Sequence, residues 1–136
     1  MTLTLDLAGA IVVAGRNSAA KRGVAVSLVV CDAAGHLKAF GRMDGAWLGS
    51  IDVAMGKAKT AVLFEMETQV VGEVSQPGAQ AYGLERTNGG LVTFAGGIPI
   101  RSAAGELLGA VGVSGGQVAQ DYEVARAALA SLNHAG

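Results

Sequence analysis

Lys57 and Thr60 lie three residues apart in SIDVAMGKAKTA, a run otherwise dominated by small side chains. That spacing puts both on one face of a helix. A lysine amine is a Schiff-base or proton-transfer group when desolvated and an ion-pair partner or anion clamp otherwise. Just upstream, the turn Arg42-Met43-Asp44-Gly45 offers a guanidinium and a carboxylate, which either pair with each other or meet a ligand. Ile51, Ala54, Met55, Ala58 and Val62 recur at helical spacing as one apolar stripe. Ser50 is the expected N-cap, and Asp52 meets the positive end of the helix dipole. The helix is therefore expected to lay its stripe on a sheet. Lys57 and Thr60, with Arg42 nearby, then turn toward a ligand pocket or a subunit contact.

Residues 112–116, GVSGG, match G-x-S-x-G between a strand and a helix, the setting of a nucleophile elbow. The elbow lacks a base within reach. His134 is the one later histidine, about 24 Å away along the final helix at 1.5 Å per residue, and His36 lies in the first hairpin, where it reads as solvated. The glycines fit a sharp turn better, with amides at residues 114–117 open to a carboxylate or phosphate. Gly89–Gly90 and Gly96–Gly97 are followed by no Gly-Lys-Ser/Thr, so neither is a P-loop. They are either hairpin glycines or places where a flat ligand meets bare backbone. Two histidines, one cysteine and unclustered carboxylates give no metal-ligand spacing. Cys31, in SLVVCD, reads as a buried strand thiol.

These groups must be positioned by eight expected elements. Residues 4–22 form a helix capped by Thr4 and closed by Lys21, Arg22 and Gly23. The run 25–32 is a strand buried on both faces; 33–35 is a hairpin turn and 36–41 its partner strand. The Lys57 helix runs to about Phe64, and 65–74 continues it or forms a short second helix. Residues 75–90 are irregular. Strands at 91–94, 98–102 and 107–114 follow, with a turn at 103–105. The final helix, 117–133, lines Val118, Tyr122, Ala125, Leu129 and Leu132 along one side. The order α-β2-α-β3-α implies an α+β fold, an antiparallel five-stranded sheet flanked by helices, as one domain over residues 1–136.

A formal net charge of −1 gives no electrostatic footprint for nucleic acid. No uncharged apolar stretch reaches ~18 residues, and no secretory pattern opens the chain, so a cytoplasmic location away from membranes is expected. Charged residues are 15% of the chain and hydrophobic residues 51%, with 21 glycines. A typical chain is about a quarter charged. Burial in a homodimer or larger assembly explains that poverty; alanine and glycine inflating the hydrophobic share is the alternative.

The hairpin VVCDAAGHLKAFGRMDGA, the helix SIDVAMGKAKTA, the loop GGLVTFAGGIPI and the strand ELLGAVGVSGG occur in that order. Together, over residues 5–132, they resemble the GlcG/HbpS-like haem-binding family, which includes the C-terminal domain of PduO-type proteins. The resemblance implies a profilin-like fold, assembly from dimers, and haem or another tetrapyrrole as ligand. The residues that carry it include Asp32, Gly35, Arg42, Asp44, Lys57, Thr60, Gly97, Gly109, Gly112 and Ser114. Haem iron takes His, Cys, Met or Tyr as axial ligand, and no histidine precedes His36. The expected ligand contacts are Arg42, Asp44, Lys57, Thr60, Gly89, Gly90, Gly97 and Ser114. Arg42 and Lys57 would hold carboxylates and the glycines would line a flat face. Two other functions fit the same residues. One is a small enzyme acting on a carbonyl or aromatic catabolite through Lys57, Thr60 or Asp44. The other is a structural oligomer with no ligand.

Overall fold

A computed structural model describes residues 2–130 and 132. Helix α1 (Leu5–Lys21) starts where expected: Thr4 Oγ1 accepts the Leu7 N–H at 3.1 Å. Strands β1 (Ser27–Asp32) and β2 (Leu37–Arg42) form the first hairpin. Asp32 Oδ1 accepts the N–H of Ala34 at 2.9 Å and of His36 at 3.0 Å, tying the turn to its own strand. Helices α2 (Gly49–Phe64) and α3 (Thr68–Ser75) follow, separated by Glu65 in the left-handed region (φ 52°). A 3₁₀ turn at Leu84–Arg86 interrupts the irregular stretch. Strands β3 (Gly97–Arg101) and β4 (Leu107–Ser114) and helix α4 (Val118–Ala130) complete the chain.

The sheet is antiparallel throughout, in the order β2-β1-β4-β3. One face, with Leu28, Val30, Val111 and Val113, packs with α1 and α4 residues such as Ile11, Val124 and Ala128. The other face, with Val29, Cys31 and Ala110, packs with Ala54, Ala58, Ala61 and Val62 of α2. Alternation along β1 sends successive side chains to the two cores, so β1 is buried on both faces as its unbroken apolar run predicts. Helix α2 comes very close to the sheet. A Cβ on Gly112 would sit 2.1 Å from the Ala54 carbonyl oxygen. The lean alanine stripe and the bare Gly112 backbone are two halves of one contact.

Four expectations are corrected. Residues 91–94 are not a fifth strand: Val92 N–H is donated to Thr60 Oγ1 at 3.0 Å, so this segment crosses α2 instead of pairing in the sheet. Ser50 is not the N-cap: α2 begins one residue earlier, and Ser50 Oγ donates back to the Trp47 carbonyl at 2.6 Å. Met55 belongs to the solvent side of α2, 42% exposed, while Lys57 and Thr60 are fully buried. On α4 and just past it, Tyr122, Ala125, Leu129 and Leu132 pack in or against the core as expected, but Val118 is exposed and Asp121, Val124 and Ala128 are buried as well. The expected end of that helix at Asn133, and His134 beyond it, lie outside the described residues. Among the described residues no helix is long and apolar enough to cross a membrane.

Candidate functional site

The eight residues expected at a ligand occupy three separate places. Lys57, Thr60 and Gly97 lie in the interior. Lys57 Nζ donates to Asp121 Oδ2 at 3.1 Å and to the Val113 carbonyl at 2.8 Å, with the Phe94 ring centroid 5.0 Å away. Burial lowers the Lys57 pKa and raises that of Asp121; each charge on the other opposes the shift. A buried pair of this kind persists because its hydrogen bonds are nearly complete. Asp121 Oδ1 also accepts the Gly116 N–H at 2.9 Å, and Gln120 Oε1 accepts the Gln117 N–H at 2.9 Å. The anion expected at the amides of residues 114–117 is thus supplied largely by the chain itself. Gly96 and Gly97 make room for this cluster: a Cβ on Gly96 would lie 2.7 Å from Lys57 Nζ, and one on Gly97 2.5 Å from the Lys57 carbonyl oxygen. Thr60 holds the 91–94 segment, as described above. With no solvent-open approach, Lys57 does not meet Arg42 across a cavity.

Arg42 and Ser114 share the Ser27 row of the sheet, one residue beyond the Val113 carbonyl that Lys57 holds, and Asp44 follows in the turn after β2. Ser27 pairs with Arg42 on one side and with Ser114 on the other. Residues directly opposite in antiparallel strands share a face, so Ser27, Arg42 and Ser114 stand on the α2 side. Ser114 lines a groove of about 630 Å³ with Trp47, Leu48, Gly49, Ser50, Val53, Gly115 and Gly116. Arg42 and Asp44 are exposed, and no ion pair joins them.

Gly89 and Gly90 line a third place, a cleft of about 420 Å³. Its walls are Gly35 of the first hairpin turn; Asp52, Met55, Gly56 and Lys59 on the outer face of α2; and the segment from Gly89 to Val92. Gly35, Gly89 and Gly90 adopt φ of 84°, 73° and 105°, conformations that glycine reaches without strain. Val92 closes down on Gly56, where a Cβ would lie 2.6 Å from Val92 Cγ2. Lys59 Nζ donates to the Asn88 carbonyl at 2.7 Å and retains two further N–H groups. His36 follows Gly35 and is exposed, as its place in a hairpin turn predicts.

Three functional candidates escape a reading of the sequence. Asp121 is 64 residues from Lys57; its one signal is an acid in the first turn of α4 after a glycine pair. Met55 reads as core because it falls on the apolar period. Lys59 is overshadowed by Lys57, although KAK puts the two on different faces. Among the described residues no group of three His, Cys, Asp or Glu is placed to hold a metal ion.

Comparison with known proteins agrees with this architecture. The family model described as haem degrading protein HbpS-like matches residues 3–130. An uncharacterized 15.0 kDa protein from the dhaT-dhaS intergenic region of Citrobacter freundii is 40% identical over 129 residues, 94% of this chain and 90% of the relative. The corrinoid adenosyltransferase PduO of Salmonella typhimurium is 41% identical over 111 residues, 81% of this chain but 33% of PduO. Among solved structures, a PduOC:haem complex superposes with a TM-score of 0.93 at 36% identity, covering 98% of this chain and 96% of that one. This four-stranded α+β chain, matched by the family model along nearly its whole length, belongs to the HbpS-like family.

Proposed function

We propose that the chain binds haem or a related planar, carboxylate-bearing tetrapyrrole in the cleft between the first hairpin turn, α2 and residues 89–92. The observation that carries this reading is the exposed thioether of Met55 in a cleft lined by four glycines. A thioether is an accepted axial ligand for haem iron, and backbone without Cβ atoms suits a flat guest. Lys59, in the same cleft, meets a propionate; this is the part expected of Lys57. Gly89 and Gly90 keep their expected role, and exposed His36, next in sequence to the lining Gly35, would add a nitrogen donor to the Met55 sulfur. When bound, haem supplies a redox-active iron; the chain supplies the ligand, the cation and the flat wall. The haem complex of the similar PduOC structure supports the choice of ligand. Neither Lys57 nor Thr60, both fully buried, offers a surface to a carbonyl substrate.

Haemin titrated into the purified chain is expected to produce a saturating Soret band. Met55→Ala should shift or weaken that band, and Lys59→Ala should lower affinity while keeping its position. A free-haemin spectrum at ligand excess, or an unaltered band in Met55→Ala, contradicts the reading.

Self-association into a dimer or larger homo-oligomer is part of the same proposal. It is supported by the low charged fraction and by Leu37 and Phe40, large apolar residues left exposed on the edge strand β2. Light scattering tests it: a monomer at micromolar concentration would overturn it.

A further inference from the structure

The groove at the start of α2 holds a hydroxyl that no protein group bonds among the described residues. Ser114 is 8% exposed, yet its hydroxyl has no partner among the described residues. The neighbouring serines are satisfied in a fixed sense. Ser50 Oγ donates its one proton to the Trp47 carbonyl at 2.6 Å, so across the 2.8 Å contact Ser27 must donate to Ser50. Ser114 alone keeps its proton for the groove. In the same cross-strand row stands Arg42, two strands away, roughly 10 Å between backbones, on the far side of Ser27 and outside the groove's lining. Arg42 has no ion pair or side-chain hydrogen bond among the described residues. The 16-residue α2 starts at this groove and adds its positive dipole end. The groove is otherwise apolar, walled by Leu48, Val53 and the 77% exposed ring of Trp47. None of its lining side chains is acidic.

We infer that this groove is a second ligand site, distinct from the glycine cleft, for a small carboxylate carried on an aromatic body. The aromatic ring lies against Trp47, Leu48 and Val53, and the carboxylate takes the Ser114 hydroxyl proton as a hydrogen bond and pairs with Arg42. Two donors and no competing acid select the anion; the apolar wall selects the ring.

Trp47 is the one tryptophan in the chain, so its fluorescence reports this groove directly. Benzoate titrated into the full chain is expected to change that fluorescence saturably. Benzamide, with the same ring and no charge, is expected to leave it unsaturated over the same range. Ser114→Ala should weaken benzoate at least about tenfold, the loss of one hydrogen bond to a charged group. Arg42→Gln, at an exposed position that leaves the core intact, should weaken it further. Met55→Ala should leave benzoate binding unchanged, which separates this site from the haem cleft. Equal binding of benzamide and benzoate, wild-type affinity in folded Arg42→Gln, or no saturable change with benzoate would overturn the inference.

Discussion

Lys57 Nζ lies 3.1 Å from Asp121 Oδ2, and the two side chains are closed off from water at 0% and 3% exposure. The pair joins the middle of α2 to the first turn of α4, and through Val113 and Gly116 it also fixes the end of β4. Removing one partner leaves the other as an uncompensated buried charge. Lys57→Met or Asp121→Leu alone should therefore destabilise the chain by about 3–5 kcal/mol, whereas the double variant recovers most of that loss. Urea unfolding of the four proteins in a double-mutant cycle measures it. Additive losses would mean that the two charges are not coupled.

The first hairpin makes a pH-dependent claim. The Asp32 carboxylate accepts the His36 and Ala34 amides, and these bonds hold its pKa below 3.8. A depressed carboxylate contributes stability that is present above its unfolded pKa and lost as pH falls through the folded one. The effect is thus confined to acid below about pH 4. Carboxyl carbon shifts followed by NMR should place the Asp32 midpoint below 3.8, and Asp32→Ala should speed exchange of the Ala34 and His36 amides at neutral pH. A midpoint at or above 3.8 contradicts the turn geometry.

Cys31 should be chemically silent. Burial pushes its thiol up to about 11, and its side chain packs between β1 and α2. The thiolate is the reactive form. Iodoacetamide at pH 8 should leave the native chain unmodified and label it once in urea. Rapid labelling without denaturant would show that the α2 side of the sheet opens.

Two glycines should respond in opposite directions to the same substitution. A Cβ on Gly112 would meet the Ala54 carbonyl oxygen at 2.1 Å, so Gly112→Ala pushes α2 off the sheet. A loss of about 1–3 kcal/mol or more is expected from such overpacking. Gly9, within α1, has nothing within 4 Å of the same position. Gly9→Ala should stabilise by about 0.5–1 kcal/mol through helix propensity alone. Melting temperatures that move the same way in both variants would contradict the close α2–β4 contact.

Local chemistry made most of the fold legible. Thr4 capping, the alanine period of α2, both hairpin turns and the full span of β4 are written in adjacent residues. The sequence signal failed where a partner lay far along the chain. Residues 91–94 look like a strand because Leu-Val-Thr-Phe favours one, but Thr60 takes the amide that a ladder would have used. Lys57 looks like a surface cation because lysine seldom goes inside; its acid is on another helix. With Lys57 sequestered, Ser114 is left at one groove, with Arg42 in the same cross-strand row, and Gly89 and Gly90 at another. Which cation faces the glycines is a matter of helix phase, and two residues along α2 exchange Lys57 for Lys59.

The most direct test of the haem reading is where haemin perturbs the backbone. Ferric haemin added to the ¹⁵N-labelled chain should broaden the amide signals of Gly35, Met55, Lys59 and residues 89–92 first, and those flanking Trp47 and Ser114 much less. Broadening centred away from the glycine cleft, or none at haemin excess, would contradict it.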